Sequence, residues 1–256
     1  MRHADQMADQ RTWEQAGAAS GLLAGALFVC AFIVFMTTNP AGSSGLANIG
    51  SAQVATSYLS LHVSALRVVI LLNILGLALS LWFLGTLLAR LRAAEGEPSR
   101  GSTSASMGAV AGAVLILAGF AVEAAVLLSN SPAQANAVPA LYTLSALLVA
   151  FGGAVFSVFF FGAGKVILRT RTLGRWLGVG AYVAGTLCLF AFLTPFFLHN
   201  VFNAATGALG LWAWFAGAVI WLLLCSGAMI MARRREQVPV PRPAPTPEPM
   251  TGRGVS

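Results

Sequence analysis

Charged residues are scarce in this sequence. Only 9% of its 256 residues are Asp, Glu, Lys or Arg, whereas an ordinary soluble domain carries about 25%. Hydrophobic residues make up 57% of the chain. This balance excludes an ordinary water-soluble domain and predicts that lipid is the main solvent of the protein.

Cysteine and lysine are also scarce. Cys30, Cys188 and Cys225 each lie alone in a long apolar run, so they form neither a secreted disulfide framework nor a set with metal-ligand spacing. We expect free, buried thiols, no metal and no cofactor. The single lysine, Lys165, stands against fourteen arginines, which together with the abundance of Ala and Gly indicates a GC-rich bacterial genome.

The net charge of +7 does not indicate a nucleic-acid partner. The arginines sit beside apolar segments instead of forming a basic soluble face. The expected partner is therefore the lipid bilayer.

Six apolar runs are long enough to cross a membrane as helices. A span needs about 20 apolar residues, and continuous runs without alternation exclude a transmembrane barrel. The sequence predicts an all-α integral membrane protein, with a polar tail at 1–15, a transmembrane domain at 16–235 and a disordered proline-rich tail at 236–256. The predicted spans are about 16–36, 62–89, 107–128, 138–161, 176–197 and 209–231.

The basic residues predict the orientation of the six helices. The loops at 38–61, 129–137 and 198–208 contain no Lys or Arg, and fourteen of the fifteen basic residues fall on the other side. The positive-inside rule places that side and both termini in the cytoplasm of a multi-pass plasma-membrane protein. Aromatic residues are expected to anchor the two interfaces. The inner anchors would be Trp13 and Trp176, and the outer ones Tyr58, Tyr142, Trp212 and Trp214.

Small residues recur at four-residue spacing in helices one and three and, as Gly174 and Gly178, at the start of helix five. Such faces let helix backbones approach closely in lipid. They predict either packing within one chain or a homo-oligomer contact through helix one. The residues concerned are Gly17, Gly21 and Gly25 in helix one and Gly108 and Gly112 in helix three.

Two charges lie inside the predicted spans. Arg67 is the one basic residue off the cytoplasmic side, and Glu123 is the one acid within a span. Both are expected on the order of 8 Å below the outer surface, on consecutive antiparallel helices. A charge at the bilayer centre costs about 2.5–3.5 kcal/mol. We therefore expect an ion pair between them, which either fixes the register of helices two and three or serves a functional site.

Further polar residues are expected in the outer half. Asn73 follows His62 by eleven residues and so lies on nearly the same helical face. With His199 and Asn203 after helix five, these residues would line a small outward-facing vestibule.

No enzymatic motif accompanies these residues. The sequence has no HExxH, GxSxG or Walker A loop, so we expect no catalytic residues. The first functional hypothesis is a non-enzymatic structural or regulatory membrane component that associates with proteins or lipids. The alternative is a small-solute or proton-coupled transporter whose outer polar site includes Arg67 and Glu123. An intramembrane enzyme is the third possibility.

One segment resembles a known group of proteins. Residues 169–178, Arg-Thr-Arg-Thr-Leu-Gly-Arg-Trp-Leu-Gly, form an Arg-rich loop leading into an Arg-Trp-Leu helix start. Together with the glycine-rich run from Gly17 to Phe28, this is similar to bacterial membrane proteins grouped as domain-of-unknown-function family 4386. The resemblance implies about six helices over roughly 15–235 and implies no activity. Gly174 stands where proline is common in that group.

Overall fold

The computed structural model describes residues 2–38, 52–128, 137–190 and 214–236. Those residues form six helices and the α2–α3 and α4–α5 connections, and they contain no strand, which confirms the all-α prediction. The helices are α1 (Arg2–Thr38), α2 (Ala52–Glu95), α3 (Arg100–Leu128), α4 (Val138–Thr170), α5 (Arg175–Phe190) and α6 (Trp214–Glu236).

Five of these helices, all but α5, are long and apolar enough to cross a membrane. Their outward faces carry large apolar side chains such as Leu23, Leu71 and Val114, each more than half exposed. Surfaces of this kind suit lipid rather than water, so the fold supports a transmembrane protein. The described part of α5 has 16 residues, and the rest of its predicted span, 191–197, lies outside the described residues.

Several helices extend beyond the predicted spans. The backbone of α1 is already helical from Arg2, where we expected a separate polar tail, and α2 runs for 44 residues from Ala52 to Glu95. The predicted limits followed hydrophobicity, which ends at the membrane surface. A helix continues past that surface when the flanking residues are good helix formers such as Gln, Glu, Arg and Ala. The proline-rich segment at 237–256 lies outside the described residues.

The connections α2–α3 and α4–α5 lie at the same end of the bundle, because α2 and α4 end there and α3 and α5 begin there. We call this the basic end, because it carries Arg90, Arg92, Arg100, Arg169, Arg171 and Arg175. The opposite half of the bundle contains the starts of α2 and α4 and the end of α3. We call it the distal half.

The glycines of α1 pack inside the chain. A side chain at Gly17 would collide with Thr86 of α2, one at Gly21 with Phe83 and Ser226, and one at Gly25 with Leu223 of α6. The face that motivated a homo-oligomer contact is therefore covered by α2 and α6 of the same molecule. Self-association through helix one stays a prediction, but these glycines are no longer evidence for it.

The closest helix pair is α3 and α4. A Cβ atom at Gly108 would lie 2.6 Å from the backbone nitrogen of Phe159, and one at Gly112 would lie 2.9 Å from the carbonyl oxygen of Gly152. Both neighbours are backbone atoms, so neither can turn aside. Small residues let the two backbones meet, as expected where lipid offers no hydrophobic drive between helices.

Aromatic rings fill the middle of the bundle. The Trp221 ring centroid lies 5.7 Å from that of Phe159 and 5.2 Å from that of Phe160, both in edge-to-face geometry. The indole N–H of Trp221 donates a hydrogen bond of 3.0 Å to the Leu177 carbonyl oxygen. A buried indole usually needs such a partner, and this one ties α6 to the first turn of α5.

Glu95 caps the start of α3 at the basic end, beyond the apolar run of α2. Its two carboxylate oxygens accept hydrogen bonds of 2.9 Å from the backbone N–H groups of Gly101 and Ser102. These groups lack partners within the helix. Desolvation opposes ionisation here, but the hydrogen bonds from Ser102 and Gly101, with the charge of Arg169, outweigh it and lower the pKa of Glu95.

The connection from α4 to α5 depends on a glycine at position 174. Gly174 has φ of 91°, a left-handed conformation that proline cannot adopt because its ring fixes φ near −65°. Arg171 also has positive φ, 56°, and its N–H donates to the Ile167 carbonyl oxygen to end α4. Glycine at 174 is therefore required by this turn.

The described tryptophans follow the predicted interfaces only in part. Trp13 and Trp176, at the basic end, are 59% and 54% exposed, as suits interfacial anchors. Trp214, expected as an outer anchor, is buried instead. Its ring lies near Phe215 at the start of α6, with 6.0 Å between the ring centroids, because α6 turns that side inward. The side chains of Tyr58, Tyr142 and Trp212 lie outside the described residues.

Candidate ligand cavity

A cavity of about 260 Å³ lies in the distal half of the bundle and reaches past its middle to Leu84, Phe160 and Leu222. All six helices contribute to its wall, from Ala31 of α1 to Cys188 of α5 and Val219 of α6. Protein interiors rarely contain voids much larger than a water molecule. A space this large, at the meeting point of so many helices, is the main candidate for a binding site in the described structure.

The wall of the cavity is apolar and rich in aromatic rings. It contains eight phenylalanines and two tryptophans: Phe28, Phe32, Phe35, Phe120, Phe156, Phe159, Phe160, Trp214, Phe215 and Trp221. The main buried core extends towards the basic end and shares part of the cavity wall, including Phe159, Phe160 and Trp221. On the distal side of the cavity, between α2, α3 and α4, a second cluster contains Leu66, Ile70, Val126, Leu127 and Val138. The cavity is thus bounded at both levels by well-packed side chains.

Four polar side chains interrupt this apolar wall: Asn73, Ser80, Glu123 and Ser145. The Ser80 hydroxyl donates to the Gly76 carbonyl oxygen at 2.8 Å, and the Asn73 amide nitrogen donates to the Val69 carbonyl oxygen at 3.0 Å. Both bonds stay within α2. In the described part of the chain, no hydrogen bond reaches the Ser145 hydroxyl, the Asn73 amide oxygen or the Glu123 carboxyl group.

The predicted ion pair is not formed. Glu123 is partly buried and lines the cavity, whereas the Arg67 side chain is exposed on the outside of α2. Among the described residues, no ion pair joins the two. Arg67 is not part of the cavity wall, so the described structure does not bring the two charges into one site.

The rotation of α2 about its axis explains why the charges are separated. Leu66, Ile70 and Asn73 form its buried face, and Arg67 is offset by one residue, or about 100° of rotation. Arg67 instead continues a stripe that includes Leu71 and Leu75, which are 57% and 46% exposed. Depth and neighbouring helices were predicted from the sequence, but the direction of each side chain depends on packing. A long arginine on such a stripe can extend its charge to the membrane surface.

The remaining predicted vestibule residues are only partly brought together. Asn73 lines the cavity, while His62 is partly buried and is not among the lining residues. His199 and Asn203 lie outside the described residues. The cavity therefore retains Asn73 and Glu123 from the predicted polar set.

Ser145 was missed by the sequence reasoning. It is 4% exposed and lies on α4, where Gly119 of α3 approaches its carbonyl oxygen. A single serine in an apolar helix gives little signal, since most such hydroxyls bond within their own helix. The four-residue step from Gly119 to Glu123 was the available clue, because it places Glu123 on the face of α3 that meets α4.

The described structure thus defines a helical membrane protein with a cavity inside its bundle. No protein-family model, no curated protein and no solved structure matches this chain. The resemblance to family 4386 therefore depends only on residues 169–178 and on the run from Gly17 to Phe28.

Proposed function

We propose that this protein is a multi-pass membrane component that binds a small, largely apolar molecule inside its helix bundle. The observation that carries this proposal is the aromatic cavity of about 260 Å³. Ligand sites in proteins are concave and mostly apolar, with a few placed polar groups. The cavity wall has this composition, with Asn73, Ser145 and Glu123 as its polar groups.

Packing energetics support an occupant. Filling a space of this size with side chains would recover dispersion and transfer free energy on the order of several kcal/mol. The same helices pack backbone against backbone at Gly108 and Gly112, so the bundle can close tightly where the sequence favours it. Retention of the cavity therefore favours a role in binding.

The proposed setting is the plasma membrane, with six spans and both termini in the cytoplasm. The basic end carries the arginines of two connections and the exposed rings of Trp13 and Trp176, which is the pattern of a cytoplasmic interface. Extension of α5 through 191–197 would complete the sixth span. In this setting a regulatory or structural role, in which the bound molecule modulates association with proteins or lipids, is our first proposal.

A matched pair of alanines tests the binding site. Ala218 lines the cavity, and Ala216, two residues earlier in the same helix, is exposed on the outer surface. We expect Ala218→Leu to fill part of the cavity and abolish binding of neopentylbenzene, whereas Ala216→Leu should bind it as the wild type does. Binding would be measured as the rise in melting temperature of the purified protein in detergent.

Detergent partitioning of the probe is shared by both variants, so it cancels in the comparison. Equal stabilisation of all three proteins, or none in the wild type, would overturn the proposed cavity site.

Transport of the bound molecule is the second candidate, and the position of Glu123 favours it. An ionisable group inside a span is a frequent feature of solute and proton pathways, and Glu123 lies in the cavity wall. Uptake of benzyltrimethylammonium into proteoliposomes, compared between Ala218→Leu and Ala216→Leu, would test it. Uptake that is absent in the wild type would exclude transport of this probe and leave the binding role.

A further inference from the structure

Glu123 is the one charged side chain among the residues that line the cavity. Neither Lys, Arg nor His belongs to that lining, and the described structure shows no hydrogen bond or ion pair to the Glu123 carboxyl group. A carboxylate in apolar surroundings is costly unless a positive group accompanies it. The nearest candidate by sequence depth, Arg67, is directed to the outside of α2.

Two further oxygen atoms in the cavity wall have no hydrogen-bond donor among the described residues. Asn73 and Ser145 are 8% and 4% exposed and line the cavity. The Asn73 amide nitrogen is already used in its bond to the Val69 carbonyl oxygen, which leaves its amide oxygen as an acceptor. The Ser145 hydroxyl has no hydrogen bond to any described residue. Buried polar atoms are nearly always hydrogen-bonded. The Asn73 amide oxygen therefore indicates a ligand that supplies a donor, and the Ser145 hydroxyl can accept a hydrogen bond from the same ligand.

The aromatic wall provides the complementary surface. The face of an aromatic ring attracts a cation, by about 0.5–1 kcal/mol at exposed sites and about 2 kcal/mol or more when water is excluded. Phe120 precedes Glu123 by three residues and therefore lies near it on the same face of α3. A group that is positive, donates hydrogen bonds and has an apolar body would satisfy the carboxylate, the acceptors and the rings together.

We infer that the molecule bound in this cavity is a lipophilic organic cation, such as an amine with an aromatic or aliphatic body, whose charged group pairs with Glu123. This inference rests on the proposed function and specifies its ligand class. Asn73 and Ser145 would accept hydrogen bonds from the ammonium group, and the phenylalanine and tryptophan rings would enclose the body.

A pair of isosteric probes separates charge from shape. Benzyltrimethylammonium and neopentylbenzene have nearly the same shape, but only the first is charged. We expect the wild type to bind the cation at least about tenfold more tightly at equal free aqueous concentration, which corresponds to about 1.4 kcal/mol. Since neither probe donates a strong hydrogen bond, this preference reports on Glu123 and the rings.

The variant Glu123→Gln keeps the shape of the side chain and removes its charge. It should lose the preference for the cation while still binding neopentylbenzene. Arg67→Gln, at a similar depth but outside the cavity, should keep the wild-type preference. Benzylamine, which does donate hydrogen bonds, should bind more weakly to Ser145→Ala than to the wild type.

The outcomes distinguish an error in the ligand class from an error in the cavity site. If neopentylbenzene binds the wild type as tightly as the cation, or if Glu123→Gln keeps the preference, the ligand class is wrong and the cavity site stands. If Ala218→Leu binds both probes as the wild type does, the site itself is wrong. Arg67→Gln removes a positive charge, so it should not weaken cation binding. An equal loss of preference in this variant would show that the loss is not specific to the cavity carboxylate and would overturn the role of Glu123.

Discussion

The two halves of this bundle are packed in opposite ways. Towards the basic end, Phe83, Leu87, Leu91 and Ile167 have almost no exposed surface, and Glu95 satisfies the first N–H groups of α3. In the distal half, the same helices separate around a cavity of about 260 Å³. There the side chains of Glu123 and Ser145 have no hydrogen bond to any described residue.

This difference indicates which regions of the chain should determine stability and which should determine function. Satisfied polar groups and close backbone contacts stabilise a fold. Unpaired polar groups in an aromatic cavity contribute little to stability, and natural proteins retain them chiefly at functional sites. Substitutions at the basic end and the α3–α4 contact should therefore change the free energy of unfolding. Substitutions in the cavity should mainly change binding.

The largest expected effect is at the contact between α3 and α4. Gly108→Ala places a methyl group 2.6 Å from the Phe159 backbone nitrogen, so the helices must separate. We expect a loss of about 2 kcal/mol in the free energy of unfolding, measured by reversible unfolding in mixed micelles.

The matched control for this substitution is Gly85→Ala. No atom lies within 4 Å of the Cβ position at Gly85, and alanine is the better helix former, by about 1 kcal/mol in an exposed helix interior. Gly85→Ala should therefore be neutral or stabilising. If both variants lose the same stability, the close approach of α3 to α4 is not what makes Gly108 necessary.

A smaller effect is expected at the cap of α3. Glu95→Ala removes the acceptor of two backbone hydrogen bonds and should cost about 1 kcal/mol, as loss of a helix cap does. Glu97→Ala, an exposed residue in the same connection, should cost much less. Equal losses would show that the charge of this connection matters and the cap does not.

The cap also predicts a dependence on pH. Because the pKa of Glu95 is lowered in the folded protein, its contribution is fully present above the ordinary value of 4.5. It is lost as the pH falls below that value and through the lowered pKa. The difference in stability between wild type and Glu95→Ala should therefore be constant at neutral pH and shrink in acid. A difference that grows in acid would contradict this assignment.

The smallest expected effect is the coupling between Arg67 and Glu123. Breaking a buried ion pair costs about 3–5 kcal/mol, but no such pair is present in the described structure. A double-mutant cycle with Arg67→Ala and Glu123→Ala should give a coupling energy below about 0.5 kcal/mol. A coupling of several kcal/mol would restore the ion pair predicted from the sequence.

The fold class and two of the cavity residues could be predicted from the sequence. Hydrophobic run length predicted the all-α fold, since the hydrogen-bonding needs of a backbone in lipid leave few alternatives. Glu123 and Asn73 were recognised because polar groups are rare in apolar helices.

The contacts of those residues were less predictable. Arg67 and Glu123 are at similar depth, but a rotation of one residue about α2 separates them. Ser145, Trp214 and Glu95 acquire their environments from helix packing and from a connection whose geometry depends on backbone conformation. Spacing along one helix fixes which residues share a face, and it does not fix which face meets which neighbour.

Two native cysteines allow the most direct test of the central claim, that the distal half contains a cavity a small molecule can enter. Cys188 and Cys225 are 1% and 0% exposed, but only Cys188 lines the cavity. With Cys30 changed to serine, N-ethylmaleimide modification would be followed at each site by mass spectrometry, with and without benzyltrimethylammonium. We predict that Cys188 reacts much faster than Cys225 and that the cation slows only Cys188. Equal rates at the two cysteines, unaffected by the cation, would contradict the account.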